Sequence, residues 1–271
     1  HMYGIIRSGM ATAMHEISVV SNNIANSGAT GFKKSDVSFA DIYGSATPDT
    51  VARTASGFGS AISDTRRNDG QGTVTSRGGA LNVALIGSGM FTTSPPDAAG
   101  AASAATVFTR NGEFSLDKEG FLRAADGSFV RGVIAGEGGE AGTGLETIQV
   151  PFTVEEQNLS QLEVASDGTI SATYGNSNVV NAGQLAIANF SNQGGLRNIG
   201  AARFAQSAQS GEPLYGVAGQ SGFGTIQSGA LEGSNVDITQ EMTVMIRAQQ
   251  QFSGSARVLQ ANSDMVEKLT R

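Results

Sequence analysis

The 271-residue sequence contains no cysteine and no tryptophan. Without cysteine it has no disulfide framework, no thiolate zinc site and no cysteine nucleophile. Charged residues make up only 15% of the chain, and the net charge is −7. An acidic chain without a basic run is not expected to bind nucleic acid. No uncharged apolar run approaches the ~20 residues of a membrane-spanning helix, so no membrane insertion is expected.

Residues typical of catalytic sites are also scarce. The two histidines are His1 and His15, and a single histidine within a helical segment is more often a surface or interface residue than a general base. The sequence has neither a P-loop nor a G-x-S-x-G nucleophile elbow. The glycine-rich segment 136–144 carries Glu137 and Glu140, which would repel a phosphate. We therefore expect no catalytic residue, no metal ligand and no cofactor.

Apolar residues repeat in steps of three and four at both ends of the chain, which predicts two heptad helices. The first covers residues 5–25 and ends before Gly28 and Gly31. The second follows a predicted N-cap at Asp237 and runs for thirty-odd residues, about 50 Å at 1.5 Å per residue. A narrow apolar seam needs a partner, either the other helix or neighbouring copies of the chain. The predicted seam residues are Ile6, Met10, Ile17, Val20 and Ile24, with Met242, Met245, Phe252, Leu259 and Val266.

Between the two helices the pattern changes to short alternating runs, such as Ile148 to Val154 and Leu81 to Leu85, separated by turn signals such as Asp167-Gly168. This predicts an α+β fold in which an all-β domain of short antiparallel strands is inserted into a discontinuous helical terminal domain. The predicted boundaries are 1–30 and 237–271 for the helical polymerisation domain, 31–72 and 209–236 for extended connectors, and 73–208 for the β domain.

Five segments, in order along the chain, resemble the bacterial flagellar rod and hook protein family. They are 21–33, 87–91, 109–122, 189–196 and 227–237. The residues that carry the terminal motifs are Ser21, Asn22, Asn23, Ala25, Asn26, Gly31, Phe32, Leu231, Glu232, Ser234, Asn235 and Val236. Within the family, the segments Phe39–Tyr43, Gln71–Ser76 and 238–246 favour the hook branch. The chain length is closer to that of rod proteins, because the chain is too short to hold the second β domain that hook proteins usually carry.

The resemblance implies a structural subunit that self-assembles into a helical tube, transmits motor torque and encloses an export channel. The implied partners are copies of the same chain, other flagellar rod, hook and junction proteins, the export apparatus and a cap chaperone. The implied location is the basal-body rod or the extracellular hook, reached without a cleaved signal peptide. Two alternatives stay open: a secreted β-rich enzyme acting on peptidoglycan or another polysaccharide, and a capping module that does not polymerise.

Overall fold

The structure is a computed structural model that describes residues 2–41, 60–133 and 144–271. Most of the glycine-rich segment 136–144, part of the first predicted connector and part of the hook-like segment Phe39–Tyr43 lie outside these residues. The chain divides into two compact units. The terminal unit comprises His1–Ser27, Lys34–Asn68 and Val236–Arg271, and the β unit comprises Gly28–Lys33 and Asp69–Asn235.

The terminal unit contains two helices and a hairpin. Helix α1 is Met2–Ala25, strand β1 is Ser35–Asp41, strand β2 is Ser60–Arg67 and helix α2 is Ile238–Leu269. Strands β1 and β2 are antiparallel, with a register shift between Ser38 and Phe39. The predicted N-cap is confirmed, since the Asp237 carboxylate accepts hydrogen bonds from the backbone N–H groups of Thr239 and Gln240 at 3.1 and 3.4 Å. Neither described helix carries an apolar stretch long enough to cross a bilayer.

The described part of the β unit contains seventeen short strands. They are β3 Val74–Ser76, β4 Val83–Ile86, β5 Met90–Ser94, β6 Val107–Thr109, β7 Ser115–Leu116, β8 Leu122–Arg123, β9 Phe129–Val133, β10 Glu146–Thr147, β11 Thr153–Val154, β12 Gln157–Val164, β13 Thr169–Tyr174, β14 Asn178–Asn189, β15 Arg197–Gly200, β16 Arg203–Ala205, β17 Leu214–Val217, β18 Thr225–Ser228 and β19 Ala230–Glu232. All of their pairings are antiparallel, and together with the helices they confirm the predicted α+β class.

Most strands join one large sheet, in which β14 pairs with β13, β9, β5 and β17. The strands nearest the ends of the β unit pair separately, β18 with β4 and β19 with β3. Two clusters of buried apolar side chains form the core of the β unit. The larger includes Leu85, Phe91, Ile170 and Ile187, and the smaller comprises Met90, Phe108, Ala188, Leu196 and Phe204. Alternation along β13 is strict, because every second residue of Thr169–Tyr174 is buried.

Two segments differ from the sequence-based expectation. Ile148 and Val150 are buried as their alternation requires, but residues 148–152 form no strand of their own. Instead, this segment is held by single backbone hydrogen bonds: the Leu122 N–H donates to the Ile148 carbonyl, and the Val150 N–H donates to the Gly120 carbonyl. Residues 209–236 were expected to be a connector, yet β17, β18 and β19 lie there within the β unit.

The N-cap generates a first prediction. Asp237→Ala leaves two first-turn N–H groups without their carboxylate, and we expect it to lower the free energy of unfolding by about 1 kcal/mol. Urea unfolding followed by far-UV circular dichroism measures this change. Asp264→Ala is the matched control, because that acidic residue lies near the helix carboxyl end, where its removal is neutral or stabilising. Equal losses in both variants would contradict the capping role.

Candidate assembly site and a buried charge cluster

Helices α1 and α2 pack against each other in antiparallel orientation. Three contacts define their register: Asn23 with Glu241, Glu16 with Arg247, and Gly9 with Ser255. The helices approach closely, since a Cβ placed on Gly9 would lie 3.4 Å from the Ser255 hydroxyl. Ala13 and Ala248, which are completely buried, continue this seam. Small residues therefore carry the central helix contact.

The predicted seam residues take different positions. Ile6 and Val20 are buried, and six others are partly buried: Met10, Ile17, Ile24, Met245, Phe252 and Leu259. Met242 and Val266 are exposed to 53% and 48%. The heptad pattern thus includes side chains of the intramolecular seam and side chains on the outside of the unit.

Further large apolar side chains are exposed on both helices and were not among the predicted seam residues. They are Tyr3, Ile5 and Met14 on α1, and Ile238, Ile246, Val258, Met265 and Leu269 on α2. Residues 263–271 are exposed throughout, and Leu269 reaches 82%. Several large exposed apolar side chains on one pair of helices are typical of an interaction surface.

Asn23 organises a polar contact inside the terminal unit. Its side chain is 1% exposed. It donates to the Ser35 carbonyl at 2.8 Å and accepts from the Ser35 N–H at 3.0 Å. The same amide donates to Glu241 Oε2 at 3.1 Å. This family-motif residue therefore links α1 to the start of β1 and to the first turn of α2.

The β unit contains a cluster of buried charges centred on Glu232, whose side chain is completely buried. Its Oε1 accepts from Lys33 Nζ at 2.5 Å and from the Gly72 N–H at 2.9 Å. Its Oε2 accepts from Arg110 Nε at 2.7 Å. Both carboxylate oxygens are therefore satisfied by groups from three distant parts of the chain, which is the condition under which a buried charge is tolerated.

Arg110 is almost completely buried and uses its remaining donors on the backbone around it. Nη1 donates to the carbonyls of Gly87 and Gly89, each at 2.8 Å. Nη2 donates to the Leu85 carbonyl at 2.7 Å and to Gln71 Oε1 at 2.9 Å. The planar guanidinium thus holds the turn between β4 and β5 in place, a geometry that a lysine cannot reproduce.

Lys33 donates a second hydrogen bond, to the Gly70 carbonyl at 2.7 Å. Burial lowers the pKa of the Lys33 ammonium below 10.5, while the neighbouring Glu232 carboxylate opposes this shift and Arg110 adds to it. Lys33 is the last residue of the β unit before the chain passes to the terminal unit.

The other motif residues differ in their contacts and burial. Gly31 adopts φ 73°, its N–H donates to the Glu232 carbonyl at 2.8 Å, and a Cβ there would lie 2.7 Å from the Asn111 nitrogen. Asn26 donates to the Asn22 carbonyl at the end of α1. Leu231 and Ser234 are buried, Phe32, Asn26, Asn235 and Val236 are partly buried, and Ser21, Asn22 and Ala25 are exposed.

Sequence reasoning did not assign a role to Lys33, Arg110 or Gln71, although each lies in a segment that carried the family resemblance. One signal was present, since Arg110 ends the apolar run that starts at Val107. His15 lies on α1 and contacts the Thr65 hydroxyl at 2.9 Å. Among the described residues, no three acidic or histidine side chains are placed to hold a metal ion.

Three family models match the chain. "Flagella basal body rod protein" matches residues 5–33, "Flagellar hook protein FlgE/F/G D1 domain" residues 84–172, and "Flagellar basal body rod FlgEFG protein C-terminal" residues 227–271. The flagellar basal-body rod protein FlgG of Bacillus subtilis is 32% identical over 97% of this chain and 95% of that protein. This chain belongs to the flagellar rod and hook protein family.

Two further relatives agree with this assignment. FlgG of Agrobacterium fabrum is 29% identical over 98% of this chain and 97% of that protein. The hook protein FlgE of Escherichia coli is 35% identical over 41% of this chain and 28% of that protein. Among solved structures, that of the Helicobacter pylori flagellar hook protein FlgE2 aligns with 51% of this chain and with 32% of its own chain, with a TM-score of 0.25 and 16% sequence identity.

As a member of the flagellar rod and hook family, the protein is a structural subunit of the flagellar axial structure and not an enzyme. Lys33, Arg110 and Glu232 each lie in a different one of the three matched segments. The charge cluster therefore joins the three parts of the sequence that identify the family.

Glu232→Gln tests the cluster. The substitution leaves two buried cations without their carboxylate, and we expect it to destabilise the β unit by about 3–5 kcal/mol. Urea unfolding combined with hydrogen exchange of β3, β4, β18 and β19 measures this loss. Glu163→Gln is the matched control, because Glu163 is exposed on β12 and its change should stay within about 0.5 kcal/mol. Similar values for the two variants would show that the buried carboxylate is not required.

The lowered pKa of Lys33 predicts a pH dependence. Between this pKa and 10.5 the unfolded chain binds more protons at residue 33 than the folded chain, so the free energy of unfolding rises with pH in that window. The stabilising contribution of neutral Lys33 is complete above pH 10.5 and is lost as the pH falls through the pKa of Lys33 in the folded chain. Urea titrations from neutral pH to 10.5 should show this rise in the wild type but not in Lys33→Met. Lys118→Met changes a lysine at an exposed site, so this variant should show the same rise as the wild type. A free energy of unfolding that falls with pH in the wild type relative to Lys33→Met would contradict the assignment.

Proposed function

We propose that this protein is a rod-type subunit of the flagellar axial structure. Coverage supports the rod over the hook, because the FlgG relatives match along nearly their whole length while the E. coli hook protein matches over 28% of its length. Of the three short motifs that favoured the hook branch, only 238–246 lies within a matched segment, and the family model for that segment covers rod and hook proteins alike. Phe39–Tyr43 and Gln71–Ser76 lie outside the matched segments. The chain length agrees with the rod assignment.

The subunit self-assembles into a helical tube through the terminal unit, with residues 1–30 and 237–271 as the polymerisation part and 73–208 as the β part. The observation that supports this proposal most strongly is the exposed apolar surface of α2, where large apolar side chains are exposed toward both ends of the helix. The segments 31–72 and 209–236 contain strands and so carry contacts as well as linking the two parts.

The predicted seam residues have two roles in this proposal. Buried members such as Ile6 and Val20 hold α1 against α2, and exposed members such as Met242 and Val266 contact neighbouring copies. Met and small side chains adapt to slightly different neighbours, which suits a tube whose subunits are not strictly equivalent. The tube transmits motor torque, encloses the export channel, and joins other rod, hook and junction proteins. The chain reaches its place through the export apparatus with a cap chaperone and without a cleaved signal.

The assembly is tested on the full chain and on a variant lacking residues 263–271, a stretch that is exposed throughout. Electron microscopy and sedimentation across a concentration series should show tubes or protofilaments for the full chain. The shortened chain should keep its fold and need at least roughly tenfold higher concentration to assemble, because it loses apolar contact surface.

Replacing Glu267 and Lys268 by glutamine provides the control, since it changes charge in the same segment and keeps Met265 and Leu269. A full chain that stays monomeric at every concentration would contradict self-assembly. Equal assembly of the full and shortened chains would show that the end of α2 is not part of the contact.

A further inference from the structure

Six of the seven exposed large apolar side chains of α2 form two patches at opposite ends of the helix, and the seventh, Val266, points in the direction of the seam. The amino-terminal patch is Ile238, Met242 and Ile246, and the carboxy-terminal patch is Val258, Met265 and Leu269. Neither patch contains a charged residue. Their centres are separated by about 22 residues, which is about 33 Å along the helix at 1.5 Å per residue.

The two patches also lie on opposite sides of the seam. At about 100° per residue, the fully buried Ala248 marks the direction of α1. The amino-terminal patch is rotated by about 120° to one side of the seam, and the carboxy-terminal patch by about 80° to the other. Each flank of α2 is therefore apolar over only one half of its length.

The other half of each flank is polar and exposed. Asp264 and Glu267 continue the flank of the amino-terminal patch toward the carboxyl end. Gln240 and Arg247 occupy the flank of the carboxy-terminal patch near the amino end. Two copies packed flank to flank without displacement would press these polar and charged groups against apolar patches. Taking such groups out of water without full compensation is costly.

We propose that neighbouring copies associate head to tail, with the amino-terminal patch of one copy packed on the carboxy-terminal patch of the next and a displacement of about 33 Å along the helix. This arrangement rests on the proposed self-assembly and names the surfaces that carry it. Because the two surfaces differ, the contact is heterologous and each added copy leaves a free patch, so assembly is open-ended.

The size of the contact explains how assembly starts. Six half-exposed side chains fall well short of the ~1,200–2,000 Å² that a stable two-body interface buries. A complex of only two copies is therefore not stable. A copy that binds several neighbours at a growing end is stable, because the contact areas add up. The arrangement predicts a sharp critical concentration for the full chain and a monomer below it.

Charge exchange on the full chain tests the pairing. Met242→Lys with Ile246→Lys changes only the amino-terminal patch, and Val258→Glu with Met265→Glu changes only the carboxy-terminal patch. Each pair of substitutions should raise the critical concentration at least roughly tenfold, because it places a charge against an apolar patch. The chain carrying all four substitutions presents lysines to glutamates across every contact, so its assembly should be restored at low salt and lost at high salt.

Thr239→Lys with Gln250→Lys is the matched control, since these exposed residues face away from the seam between the two flanks. It should leave the critical concentration unchanged, and circular dichroism of every variant should show the wild-type helix content. If the variant with all four substitutions assembles worst of all, each patch packs on the same patch of a neighbouring copy. That result would overturn the head-to-tail pairing but not the proposed assembly. A wild type that never assembles overturns both.

Discussion

The β unit depends on the carboxylate of Glu232. It has no contact with water, yet each of its oxygens accepts a hydrogen bond, from Lys33 and Gly72 on one side and from Arg110 on the other. Such a cluster adds little net free energy compared with apolar side chains of the same size, but any pairing that leaves one charge without its partner is costly. Its effect is to select one arrangement of segments that are far apart in sequence.

The position of this cluster along the chain gives it further importance. Lys33, Gly72 and Glu232 lie just before or just after points at which the chain passes between the two units. Glu232 also ends β19, which pairs with β3, while the preceding strand β18 pairs with β4. The segments by which the chain enters and leaves the β unit are thus bonded to one side chain instead of to the large sheet alone.

The terminal unit is organised on a different principle. Small residues at Gly9, Ala13 and Ala248 let its helices approach closely, so the larger apolar side chains of α2 remain largely outside the seam. For a protein that acted alone, this surface would favour aggregation. In the proposed assembly it supplies contact area for further copies of the chain.

The sequence by itself determined the α+β class, the two helices, the N-cap at Asp237 and the family, because helix caps, apolar spacing and short motifs depend on residues close together in the chain. It did not reveal β17 to β19, whose partners include strands about 140 residues away. Only the tertiary structure decided that Lys33, Arg110 and Glu232 are buried together and that Met242 and Val266 are exposed. Burial depends on which distant surfaces meet, and no local pattern records that.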